Sequence, residues 1–145
     1  MDETRDSNLD PAFFKEKTRE FFAPMHVPNP EDAKQAEEFI NALDATADVL
    51  TAHLRETGLT YSDTTILYFG SPLGEAFRIL FNGAWIFSQK QGRWVIKCLA
   101  QNGDEIEINV FRKIEKRIEN GIEDSISFYL ASIKKLMIAD PGQFI

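Results

Sequence analysis

The chain has 145 residues, 43% of them hydrophobic and 12% aromatic, enough for one domain with a sizeable core. Its net charge of −7 lies wholly in residues 1–60, where 13 acids stand against 6 Lys and Arg, so long-range repulsion argues against nucleic acid and anionic membrane as partners and leaves room for a basic protein. A lone cysteine, Cys98, allows no internal disulfide, no secretory leader opens the chain, and the apolar runs are too short to span a bilayer; a soluble, cytoplasmic, bacterial protein is expected.

Residues 1–9 are polar and without period, and the pattern predicts that they are disordered within a single domain over 1–145. "DPAFFKEKTREFF" then predicts a helix with Asp10 as cap and Pro11 at its first position, Phe13, Phe14, Phe21 and Phe22 sharing a face. The three prolines of "APMHVPNP" predict a rigid, non-helical connector. Asn29 and Pro30 repeat the cap-and-proline start. Ala36, Ile40, Leu43, Ala47, Leu50 and Leu54 then step at helical spacing toward Gly58, which ends the longest helix.

A third helical pattern starts after Ser62 or Asp63 and contains "GSPLGE". Ser71 and Pro72 read there as a fresh cap and first turn, so a joint or kink is expected, with Gly70 and Gly74 permitting close packing. From Ala84 the apolar period falls to two. Gln91-Gly92 and Asn102-Gly103 mark turns, which predicts a three-stranded antiparallel meander. A two-residue first turn would set Phe87 against Ile96 and Trp85 against Cys98. A three-residue second loop sets Cys98 against Ile106, Ile96 against Ile108 and Trp94 against Val110, with Lys97 beside Glu107 on the opposite face. Two more helices follow: "NVFRKIEKRIENG", with Phe111, Ile114 and Ile118 inward, and a second beginning at Asp124, with Ile126, Leu130, Ile133 and Met137 on one side. The fold class is α+β: N-terminal helices, the meander, and two C-terminal helices packed on one sheet face.

The tests for chemistry are mostly negative. Ser71 directly follows Gly70, so "GSPLG" is no nucleophile elbow, and the stretch lacks the lysine of a phosphate loop. His26 and His53 stand in no zinc-binding spacing, and Cys98 falls on the core face. Glu37, Asp44 and Asp48 recur at helical spacing, and with Glu75 from the next helix they form the one candidate metal set, for a metal-dependent hydrolase. Arg112, Lys113, Lys116 and Arg117 make a basic helix face interleaved with Glu115 and Glu119, suited to an acidic patch such as the protein's own N-terminal helices.

The segment from "SPLGEAFRILFNGAW" to "FRKIEKRIENG" resembles an uncharacterised bacterial family, domain of unknown function 3806, over about residues 60–130. Leu73, Gly74, Glu75, Trp85, Lys116, Arg117 and Gly121 carry the resemblance. It implies that Glu75 and Arg117 meet as a buried or semi-buried ion pair, and it brings no established activity. The expectation is therefore a protein-binding or regulatory, immunity-like module without catalytic residues or cofactors. Its candidate binding residues are Glu75, Arg112, Lys116 and Arg117, its partner is basic, and the outer sheet face, with Ile86, Val95 and Leu99, offers a surface for self-association.

Overall fold

In the computed structural model, which describes residues 2–138, five helices accompany one antiparallel sheet of three strands, an α+β arrangement with helices before and after the strands. Helix α1 is Ala12–Phe22; Asp10 accepts the Ala12 N–H at 2.9 Å, and Pro11 takes the cap position, so the helix starts one residue later than expected. The connector is not wholly non-helical. Ala23–Met25 continue as a 3₁₀ turn that tolerates Pro24 in its first turn and ends at His26, with φ 55°. Helix α2, Ala33–Thr57, is capped by Asp32 rather than Asn29: the Asp32 carboxylate accepts the Gln35 N–H at 2.8 Å, and Gly58 closes the helix with φ 67°.

Helix α3, Asp63–Phe81, runs without a joint through Pro72. The expected restart at Ser71 does not occur: its hydroxyl donates to the Leu67 carbonyl at 2.7 Å, one turn back, instead of capping a new helix. Burial of nearly the whole segment, from Gly70 through Phe77, holds the turn helical despite the missing proline N–H. The glycines do admit close neighbours, but these are rings and not backbones. A Cβ on Gly70 would stand 2.3 Å from Phe111 Cδ1, and one on Gly74 2.1 Å from Trp85 Cη2. Ala is the better helix former by about 1 kcal/mol, an advantage overturned here by overlap with two fully packed aromatics.

Strands β1 (Ala84–Ser88), β2 (Arg93–Leu99) and β3 (Glu105–Ile108) form the meander in that order. Across β2 and β3 the register is the expected one, Cys98 opposite Ile106 and Ile96 opposite Ile108, set by the loop whose Gly103 has φ 88°. Across β1 and β2 it differs by two residues: Trp85 faces Ile96 and Phe87 faces Trp94. Ser88 is the cause. Its hydroxyl accepts the Gln91 N–H at 3.1 Å and its carbonyl the Gly92 N–H at 2.8 Å, so four residues, Gln89–Gly92, make the turn. A slip of two keeps every side chain on its expected face. Val110, expected to end β3, instead begins helix α4 (Val110–Asn120), where Asn109 caps by accepting the Arg112 N–H.

Helix α5, Ile126–Ile138, completes the fold. Phe14 lies at the centre of the core, stacked on Trp85 at 4.4 Å between centroids and 5.6 Å from both Trp94 and Phe111. Side chains of this size contribute about 1.5–3 kcal/mol each when fully buried. The segment before α1 carries a turn that its sequence pattern does not announce. Glu3–Arg5 form a 3₁₀ turn with Thr4 fully buried, held by Arg93 Nε to Thr4 Oγ1 at 2.7 Å and Trp94 Nε1 to the Asp6 carbonyl at 2.7 Å. On the outer sheet face Val95 is buried in the central strand, so only Ile86, half-buried, and Leu99, 61% exposed, remain of the expected apolar patch.

Candidate functional site

The alternation of charged and apolar residues in α4 turns Phe111, Ile114 and Ile118 inward, and Arg117 lies beside them with no exposed surface. Its Nε donates to Asp44 Oδ1 at 2.7 Å and its Nη2 to the Asp44 carbonyl at 3.1 Å and to Asp48. Asp44 does more than neutralise it. From α2 its carboxylate also accepts the Ile126 N–H at 2.9 Å, the Ser127 N–H at 3.3 Å and the Ser125 hydroxyl at 2.8 Å, capping α5 from another element. Burial raises the Asp44 carboxyl's pKa, but Arg117 and the donors at Ile126, Ser125 and Ser127 outweigh it and hold the group at about 2, below the ordinary 3.8. The basic helix does reach the acidic N-terminal half, through Arg117.

Glu75 stands in a different place. Its Oε2 accepts the Trp85 indole N–H at 2.8 Å and Arg78 Nε at 2.8 Å, and its Oε1 accepts Arg78 Nη2 at 3.1 Å. The expected Glu75–Arg117 pair is therefore absent, because Glu75 leaves α3 toward β1 whereas Arg117 leaves α4 toward α2. The candidate metal set fails on the same geometry. Glu37 pairs with Lys134, Asp44 and Asp48 with Arg117, and Glu75 with Arg78, so the four acids are held by three basic residues in three separate places. Among the described residues no group of three or more His, Cys, Asp or Glu is placed to hold a metal ion.

Arg112 and Lys116 are exposed, one turn apart on the outer side of α4. With Lys113, Asp124, Phe128 and Tyr129 they line a cleft of about 350 Å³ between α4 and α5. Arg112 lies 3.9 Å from Glu115 and 3.8 Å from Glu119, and Lys113 lies 3.4 Å from Asp124, with its Nζ 5.2 Å from the Tyr129 ring centroid. Local carboxylates thus offset most of the positive charge that the sequence concentrates here. Burial pushes the Tyr129 hydroxyl up to about 12, so it remains protonated and uncharged at neutral pH.

No family model, curated protein or solved structure matches the chain. No helix among the described residues is long and apolar enough to cross a membrane.

Two features escaped the sequence reading. Arg93 is buried between the N-terminal turn and α4, bonded to Thr4 and Glu115, 3.6 Å from Asp2 and 5.7 Å from the Phe111 ring centroid. Its period-two position marks only the sheet face opposite the core; the covering N-terminal turn carries no helical or strand period to announce it. The second is a groove of about 320 Å³ between the connector and the first half of α2, walled by Phe22, Val27, Pro28, Pro30 and Phe39 with Glu38 on its rim. Val27 is 51% exposed and the neighbouring Met25 50%. Two of the three prolines that mark the connector in the sequence, Pro28 and Pro30, stand in this wall and make it stiff.

Proposed function

We propose that this protein is a non-catalytic binding module of the cytoplasm, immunity-like or regulatory in type, whose acidic N-terminal half receives a basic segment of another protein. The observation that carries the reading is the connector groove. It is an apolar trough with exposed Val27 at one wall and Glu38 on its rim, within the region that holds the whole net charge of −7. Glu31 and Asp32 follow Pro30 directly and add two exposed carboxylates beside the trough. An aliphatic or aromatic side chain flanked by Lys or Arg matches that surface. Rigid walls lower the ordering cost of binding. The buried ionisable residues Asp44, Glu75, Arg93 and Arg117 are each engaged within the fold, which fits a scaffold that presents surfaces. The resemblance to domain of unknown function 3806 is retained as a proposal of kinship, with Lys116 and Arg117 on one helix as its C-terminal mark.

A labelled amphipathic peptide of Lys and Leu, measured by fluorescence anisotropy, tests the reading. Saturable binding that weakens with salt is expected, and E38K should weaken it further. V27D is the deciding variant. It adds negative charge, so merely electrostatic attraction would strengthen, whereas docking into the groove would be lost; tighter or unchanged binding to V27D overturns the proposal.

A further inference from the structure

Strand β1 is an edge strand with an unusual composition. It pairs with β2 on one side, and among the described residues no other strand pairs with its second side. Edge strands normally carry charge, proline or a bulge that blocks pairing with another chain. The opposite edge obeys that rule, since β3 reads Glu-Ile-Glu-Ile and follows Asp104. Strand β1 reads Ala-Trp-Ile-Phe-Ser and has none of these devices.

The same five residues are nearly symmetric about Ile86: small, aromatic, β-branched, aromatic, small. In an antiparallel pair related by a two-fold axis at Ile86, each residue meets its own chemical kind. Ile86 faces Ile86 of the second copy, Trp85 faces Phe87, and Ala84 faces Ser88. Aromatic and β-branched cross-strand pairs are the ones that stabilise a sheet. Ile86 and Phe87 are both only half-buried in the single chain, so they have surface left to cover. A shallow basin of about 570 Å³ runs from Ile86 past the Lys97–Glu105 ion pair to exposed Leu99, so apolar surface and charge are mixed on the outer face, unlike at the β1 edge. Two β3 edges would instead bring Glu105 and Glu107 of each copy together, and the like charges would repel.

We propose that two copies of this chain associate through β1, antiparallel about Ile86, into a continuous six-stranded sheet. The contact runs through the edge of the sheet rather than through its outer face, where Val95 is already buried.

Sedimentation velocity across micromolar to millimolar chain concentration tests it, with thermal melts as the control for folding. The wild type should sediment at twice the chain mass at high concentration. I86K and I86E should each sediment as single chains, because each places two like charges across the axis, and a 1:1 mixture of the two should recover the dimer through opposite charges at the same point. A wild type that stays at the chain mass overturns the proposal, as does a dimer that survives in both variants. Hydrogen exchange on the wild type serves even if the variants fail to fold. Exchange at the β1 amides should slow as concentration rises, and a dimer with unchanged β1 exchange places the contact elsewhere and overturns the proposal.

Discussion

Two of the acid–arginine clusters inside this fold, those of Asp44 and Glu75, differ in what they join. Asp44 and Arg117 are 73 residues apart, and with Asp48 and the first turn of α5 they tie three helices at one point. Glu75 and Arg78 are neighbours on α3, three residues apart, and among the described residues their one bond beyond α3 is to the Trp85 indole on β1. Both acids are equally shielded, each 7% exposed, yet Asp44 meets four donor groups from α4 and the start of α5 where Glu75 meets two side chains. The difference shows that burial alone does not rank such clusters. What ranks them is the number of elements that lose a partner when one acid is removed.

Breaking the larger cluster should therefore cost most. D44A leaves Arg117 buried with only the exposed Asp48 opposite it and uncaps α5; the expected loss is about 3–5 kcal/mol in urea unfolding. A loss under about 1 kcal/mol would dissolve the contrast. Acid should weaken the larger cluster. The Asp44 carboxyl titrates lower in the folded chain than in the unfolded one, so its contribution is complete above about pH 4 and disappears as pH falls toward about 2. On the order of 2 kcal/mol should vanish in that window, and the D44A chain should lack that part of the acid dependence. E75Q should cost less, about 0.5–1.5 kcal/mol, since glutamine still accepts from the Trp85 indole and Arg78 remains partly hydrated. Combining E75Q with R117M should give additive losses, whereas the Glu75–Arg117 pairing implied by resemblance would make them couple.

The elements themselves were legible wherever local chemistry decides them. Gly58 and Gly103 required positive φ and fixed a helix end and a loop length. The errors arise where a side chain replaces a backbone rule. Ser88 added two residues to the first turn through its own hydroxyl, Ser71 bonded backward within α3, and Asp32 capped in place of Asn29. At the candidate site, Arg117 and Asp44 were each singled out, but their meeting was not. Helical spacing places a residue on a face of its own helix and is silent about which other helix that face will touch. Arg93 was missed for the same reason, since its partner Thr4 lies 89 residues away in a segment without period.

That last contact has a consequence for the order in which the chain assembles. The turn at Glu3–Arg5 is shaped locally, with Asp2 accepting the Thr4 N–H and pairing with Arg5, but β2 is what ties it to the fold, so it docks only after the meander has formed. Contacts of such separation repay their loop-closure entropy late. The N-terminal turn is thus a closing clasp, the last segment to lock during folding and the one best able to open locally while the helices and the sheet stay intact.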